Sequence, residues 1–375
     1  MRKKFLSFLI FIFLIFLFGL RANAQSQSIE GYYVDNNGTE SIANIPWADY
    51  TQVVLFQTQA GVNGSGVGNG SVDTHYLVPA DIPAFVAAAH VAGKLALFCI
   101  KDNNAFSNAF PQDTVPGLVS TFAANITSFT TSNGFDGVVL DWESGVVALQ
   151  YQALIAALRT AMPTKIINMA GWNDSCCGAN IINTAVAKSS ILNQVEIMCY
   201  DLDLGEGRTE YNDALTQGGN SGMRACDWAV AAYTTAGVPK AKISVGIPFY
   251  GRRWPGSTHV SQTTSVTPST FFYRDLVTDA TRWQPQYRFY DSTYKSDYLS
   301  IPSPAEFDSF TGPTTIAAIV AWGKAQGFGG FMAFTLEYEY LSSASGNARY
   351  PLSTALFNNV SGGVSPPTDL SVVIQ

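Results

Sequence analysis

Residues Phe135–Glu143 read Phe-Asp-Gly-Val-Val-Leu-Asp-Trp-Glu, and no other stretch limits the choice of fold so tightly. The run has the length and β-branched content of a short parallel strand that ends in acid. Val138, Leu140 and Trp142 alternate with Val139, Asp141 and Glu143, so each trio lines one face. The first trio is wholly apolar, as a sheet face covered by helices must be. The second turns from apolar to acidic and sets two carboxyl groups roughly 7 Å apart at the strand's C-terminal end. In α/β barrels that end carries the chemistry. Paired carboxylates there suit acid/base work on a polar, uncharged bond such as a glycosidic one.

The rest of the chain supplies the barrel. Eight apolar, β-rich segments recur: Ile29–Val34, Gln52–Gln57, Lys94–Ile100, Gly137–Trp142, Lys165–Ala170, Val195–Tyr200, Lys242–Pro248 and Gly330–Thr335. Helical patterns lie between them, among them Ile82–Ala92, Val115–Thr131, Val147–Met162 and Thr314–Ala325, with Gly93, Gly134 and Gly327 placed as C-terminal glycines. This alternation predicts an α/β fold of the (β/α)8 TIM-barrel class. An open doubly wound sheet is the alternative, but no Gly-x-Gly-x-x-Gly turn follows a strand. The Gly-rich Gly61–Ser71 region is expected to be a mobile loop after the second strand.

The N-terminus reads as a signal peptide over residues 1–24: a basic start, an apolar run from Phe5 to Leu20, and Ala22-Asn23-Ala24. That run is short for a bilayer span of about 20 residues, which favours cleavage after Ala24 over an uncleaved anchor. Export to an extracellular or periplasmic space follows, with no membrane association after cleavage. Charged residues make up 13% of the chain and the net charge is −7, so no basic surface argues for nucleic acid. With 17 Tyr, 24 Phe and 7 Trp, a cleft that stacks on neutral rings is the better fit, and a monomer is expected. Of the five cysteines, Cys99 and Cys199 lie in apolar strand-like runs and read as buried thiols. Cys176, Cys177 and Cys226 are left as candidates for one disulfide. The three histidines have no metal-ligand spacing, so no metal, no cofactor and no triad are expected.

The interval from Gly251 to Gly330 is far longer than a usual barrel connection and is crowded with aromatic residues. It predicts an insertion with strands of its own at about 253–310, inside a barrel domain covering 25–358. Residues 359–375 read as a linker-like tail.

Phe135–Glu143 resembles the signature of glycoside hydrolase family 18, the chitinase family, written Asp-x-x-Asp-x-Asp-x-Glu. Asp136, Asp141 and Glu143 match it. Gly31-Tyr32-Tyr33 looks like the family's opening Gly-Tyr-Tyr, and Met198-Cys199-Tyr200-Asp201 like its Met-x-Tyr-Asp. Gly246–Arg252 is close to Gly-x-Pro-x-Tyr-Gly-Arg, and Gly329–Phe334 to Gly-Gly-x-Met-x-Trp. Each string is common, but five in order at strand ends are specific.

The resemblance implies substrate-assisted retaining cleavage of β-1,4 N-acetylglucosamine linkages in a poly- or oligosaccharide partner. Glu143 is then the general acid/base, Asp141 the group that holds the acetamido N–H, and Tyr200 the donor to the acetamido oxygen. Asp201, Tyr32, Phe334, Tyr250 and Arg252 are implied to bind substrate, with Asp136 fixing the strand entry. Each has a duller reading: a solvated loop charge for the acids, a rim aromatic for Tyr200 and Tyr250, an ion pair for Arg252. Trp172, Trp254 and Trp283 are further candidates for stacking on sugars, and Trp322 lies in a helical run that suits the core. Chitin, N-glycan cores and peptidoglycan share the acetamido group, and a non-catalytic sugar-binding barrel is the competing class.

Three positions depart from the family pattern. Val139 replaces its second Asp, and Cys99 replaces a Ser on the third strand. Without those partners Asp141 is expected to keep its charge and face the substrate. Phe334 replaces the Trp that floors the family's site, which keeps a smaller ring and loses the indole N–H.

Overall fold

The computed structural model describes residues 27–35, 41–102, 109–172, 178–203, 207–220 and 222–362. The expected signal peptide, Cys176 and Cys177, and most of the expected tail lie outside the described residues.

The chain carries strands β1 Ser28–Val34, β2 Gln52–Val62, β3 Gly68–Asp73, β4 Leu95–Lys101, β5 Gly137–Asp141, β6 Ile166–Gly171 and β7 Val195–Ile197. It continues with β8 Ile243–Pro248, β9 Tyr250–Pro255, β10 Ser269–Phe272, β11 Arg288–Asp291, β12 Ser296–Pro302, β13 Ala305–Phe310 and β14 Gly330–Phe334. Strands β1, β2, β4, β5, β6, β7, β8 and β14 pair in parallel and close on themselves through β1–β2. The eight segments expected from the sequence are these strands, and the fold is a (β/α)8 barrel.

Period-2 alternation sorts the side chains into two layers. Val138, Leu140 and Trp142 join the large cluster packed against the helices, including Asp81–Val91, Val119–Ser132, Ala148–Ala161 and Pro313–Gln326. Tyr32, Val54, Cys99, Val139, Tyr200 and Met332 form a separate cluster in the barrel interior. Gly93, Gly134 and Gly327 take the left-handed conformation just beyond three of those helices, as a C-terminal glycine does.

Below that apolar layer the interior is polar. Tyr32 donates a 2.5 Å hydrogen bond to Glu196, while Gln52 and Asn168 both donate to Glu30. Glu30 and Glu196 are fully buried and bond to each other, and burial pushes both carboxyls up. One proton shared between the pair satisfies that contact.

Two expectations are corrected. Gly61–Ser71 is not a loop: its ends are the facing edges of β2 and β3, an antiparallel hairpin with a bulge between Ala60 and Val62. A Cβ on Gly61 would meet Ser71, so the glycine is what lets the strands close. Cys199 is not a thiol. It forms a disulfide with Cys226, joining the end of the β7 segment to the helix Cys226–Ala236; among the described residues Cys99 is the free, buried cysteine. Cys199 belongs to the outward face, where it packs against that helix, and the apolar run around it hid this from sequence reasoning.

After β8 the chain builds a second sheet, five-stranded and antiparallel, in the order β10-β9-β13-β12-β11, with the helix Tyr273–Thr278. The last helix among the described residues runs from Pro351 to Ser361. Among the described residues no helix is long and apolar enough to cross a membrane.

Closing a loop of sequence separation 27 stabilises by about 3 kcal/mol on chain-entropy grounds. Cys226→Ser is expected to lower Tm by roughly 5 °C in scanning calorimetry. A melting curve that coincides with the parent's would show that the link adds nothing to stability.

Candidate active site

Six of the barrel strands, the segment that follows β7 and strand β9 after β8 deliver side chains to one cavity of about 430 Å3 at the C-terminal end of the barrel. Tyr32, Phe56, Tyr200, Tyr250 and Phe334 form its aromatic wall, and Asp141, Glu143, Asp201 and Asp203 its acids. Lys101 and Arg252 are its cations.

The outward face of β5 fixes the acids. Trp142 stacks on Phe110 at 5.3 Å, and its indole donates to the Ser144 carbonyl at 2.7 Å. The Tyr151 hydroxyl donates to the Leu140 carbonyl at 2.9 Å. With that side clamped, Asp141 and Glu143 must point into the cavity. Their backbones lie two residues apart, but the side chains converge: the carboxyls share a hydrogen bond, closer than the separation expected from strand rise alone.

That contact sets the electrostatics. The Asp141 charge and then burial push Glu143 up to about 8, with Lys101 pulling back. Burial also pushes Asp141 up, opposed by Lys101 and by the hydrogen bond from Glu143. The pair therefore holds one proton near neutral pH, and Glu143 carries it. No polar partner lies beneath Asp141 at Val139 and Cys99, and the acid it meets is Glu143. Cys99 and Val139 face each other in the β4–β5 register, both fully buried.

Tyr200 follows β7 into the cavity. Its ring stacks on Phe334 at 5.8 Å and meets Tyr250 edge-on at 6.1 Å. Its hydroxyl reaches only the Met332 sulfur among the described residues, at 3.9 Å. That weak acceptor leaves the O–H available to a ligand. Asp201 has a left-handed backbone, φ 54°, held by its amide's bond to Asn212 Oδ1 at 3.0 Å. A short polar side chain tolerates that turn better than most.

Arg252 lines the cavity with its charge already engaged, by Asp201 at 2.5 Å and Asp203 at 3.3 Å. Tyr32 presents its ring, since its hydroxyl is bonded to Glu196. Phe334 packs on Tyr32 at 5.5 Å and on Phe56 at 5.3 Å. Asp136 lies outside the cavity, where it accepts from the Ala96 amide at 2.9 Å and meets His90 Nε2 at 2.8 Å, tying strand to helix. Of the tryptophans, Trp172 lines the cavity. Trp254 is buried against Phe307, Trp283 packs on Phe310, and Trp322 packs on Phe328.

Sequence reasoning passed over Asp203 and Lys101 as site residues. Asp203 repeats the acid two positions after Asp201, and burial pushes it up to about 7 against the pull of Arg252. Lys101 ends the third barrel strand, where side chains face the site. Among the described residues no group of three or more His, Cys, Asp or Glu could hold a metal ion.

Residues 84–339 match the family model described as glycosyl hydrolases family 18. Chitinase A1 of Niallia circulans is 25% identical over 289 residues, which is 66% of this chain and 40% of that protein. Chitinase 1 of Aphanocladium album is 28% identical over 233 residues, 56% of this chain and 54% of that protein. The chain thus spans about half or less of the length of these curated relatives. Among solved structures, a Bacillus thuringiensis chitinase aligns with TM-score 0.77 and 21% identity, over 92% of this chain and 71% of that one. A chitinase-like agglutinin from Robinia pseudoacacia aligns with TM-score 0.73 and 19% identity, over 88% and 99%. At these identities the structural likenesses speak for the fold.

Val139→Asp places a carboxylate beneath Asp141 and should raise the pair's proton affinity. The acid limb of the pH–rate profile is expected to move up by about one unit. An unmoved limb in a folded variant would show that Asp141 does not sense that position.

Proposed function

The chain belongs to glycoside hydrolase family 18, and we propose that it cleaves β-1,4 linkages between N-acetylglucosamine units by substrate-assisted, retaining catalysis. One observation carries this reading: the two carboxyls at the strand tip lie within hydrogen-bonding reach of each other, so that the Asp141 charge and burial push Glu143 up to about 8. Two-carboxylate glycosidases hold their acids about 5–5.5 Å or 6.5–9.5 Å apart, on opposite sides of the scissile bond. A pair in mutual contact cannot straddle it, and Asp201 and Asp203 are taken by Arg252. The nucleophile must then come with the substrate, and a 2-acetamido oxygen meets that need.

Glu143, protonated, gives its proton to the leaving glycosidic oxygen. The acetamido oxygen attacks the anomeric carbon, forming a cyclic oxazolinium. Asp141 accepts the acetamido N–H and offsets the positive charge that develops there. Tyr200, with its hydroxyl uncommitted, donates to the attacking oxygen and holds it in line. Glu143, now a carboxylate, takes a proton from the water that opens the ring. Tyr250, Arg252 and Asp201 line the wall beside the sugar. The name chitinase, borne by both relatives, and the tobacco class V chitinase solved with NAG4 agree with this substrate class. The disulfide supports work outside the cytoplasm.

The test is incubation of the protein and its Glu143→Gln variant with chitin oligomers and with a high-mannose glycoprotein. Oligomers should be cut by the parent, with the rate falling as pH rises through about 8, where Glu143 loses its proton. Glu143→Gln should retain binding and lose on the order of 10³-fold in kcat. Binding without turnover in the parent would make the barrel a lectin; cleavage of the glycoprotein alone would make it an endo-glycosidase acting on N-glycans. Phe334→Trp should lower KM several-fold by widening the stacking face. Unchanged kcat and KM would place Phe334 away from the sugar floor.

A further inference from the structure

Lys101 closes β4 opposite Asp141, the last residue of β5, and lines the same cavity as Asp141 and Glu143. Its ammonium lies 5.7 Å from the centre of the Phe56 ring and makes no hydrogen bond or ion pair among the described residues. Asp141 Oδ1 is likewise buried and without a partner. The cavity's other cation, Arg252, is occupied by Asp201 and Asp203. A cation with no ion-pair partner among the described residues therefore lines the same cavity as an unpartnered carboxylate oxygen in register with it, with Cys99 and Val139 beneath offering Asp141 no other counter-charge.

We propose that Lys101 is the positioning residue of the acid pair: its ammonium holds Asp141 as the carboxylate and so keeps the pair's single proton on Glu143. The titratable groups around Asp141 single it out. Cys99 shares Lys101's strand; Glu143 follows on the same segment; Glu196, Tyr200 and Asp201 come from β7 and its extension. Tyr151 approaches from the helix Ala148–Ala161, its hydroxyl already bonded to Leu140. These are all acids or neutral hydroxyl and thiol groups. Each acid disfavours a second negative charge, and Lys101 is the base set against them. Phe56 keeps it there by a cation–π contact, which leaves the N–H donors directed at the cavity.

The same placement has a consequence for charge separation. Two carboxyls in contact compete for one proton, and symmetric surroundings would divide it between them. A cation in register with Asp141 breaks the symmetry in favour of a charged Asp141 and a protonated Glu143. That is the arrangement the proposed first step needs, so the inference rests on the reading of these two residues as the working acids.

Lys101→Met and Lys101→Gln remove the charge, and Lys101→Arg keeps it. The side-chain carboxyls of 13C-labelled protein are titrated by NMR, and kcat/KM is followed against pH with a chitin oligomer. In both neutral variants the Asp141 and Glu143 steps should move up by about one unit, with the acid limb of kcat/KM following, while Lys101→Arg tracks the parent. Titration curves in Met or Gln that overlay the parent's overturn the proposal. So does an equal shift in Arg, which would point to side-chain shape instead of charge. A loss of kcat with an unmoved profile marks a merely structural role and also overturns it. If the parent cuts no oligomer, the proposed function falls, and the carboxyl titration still decides on Lys101.

Discussion

Asp141 and Glu143 meet through a hydrogen bond at the barrel rim, and that contact requires one to keep a proton while the other stays charged. The surroundings that enforce it are laid down strand by strand. Trp142 and Tyr151 clamp the outward side of β5, so neither acid can turn away. Val139 and Cys99 deny Asp141 a polar partner below, which leaves the rim to supply one. Glu143 accordingly titrates far above an ordinary glutamate, as a proton donor at neutral pH must. The aromatic wall of Tyr32, Phe56, Tyr200, Tyr250 and Phe334 lowers the polarity of the same space, which strengthens each of these interactions.

A second carboxyl pair lies deeper. Glu30 and Glu196 occupy the barrel's interior with Gln52, Asn168 and Tyr32, where barrels more often carry branched apolar side chains. Burying two acids is unfavourable unless they share a proton and fill their remaining hydrogen-bond capacity. The Tyr32 hydroxyl does part of that work while its ring forms part of the cavity wall. The floor of the site is thereby pinned to a hydrogen-bonded layer and cannot slide on a greasy one.

The barrel was legible because its strands are short apolar runs spaced by helical patterns with glycine ends, a signal that depends on local sequence alone. Asp141, Glu143, Tyr200 and Arg252 were legible because strand ends in this fold converge on one rim, which brings distant residues together. What was not legible depended on contacts between elements. Cys199 sits in an apolar run whose outward partner, Cys226, could be recognised only once the helix was packed on the sheet. The Gly61–Ser71 stretch looked like a loop because glycine marks both a free turn and a close approach of two backbones. Trp254 and Trp283 looked like sugar platforms, yet Trp254 is buried against Phe307 in the second sheet and Trp283 packs half-buried on Phe310. Lys101 was passed over because nothing in the local sequence sets its cation against Asp141, which is brought into register with it only by β4–β5 pairing.

Arg252 belongs to β9 and pairs with two acids that follow β7, while its neighbour Arg253 is gripped by Asp308 on β13. Arg252 therefore fastens the added sheet to the cavity rim, and Arg253 ties β9 to β13 within that sheet. A wall fastened that way behaves as masonry and not as a door. For the substrate class proposed above, the groove is already cut to width, and the breadth of what fits is settled when the protein folds.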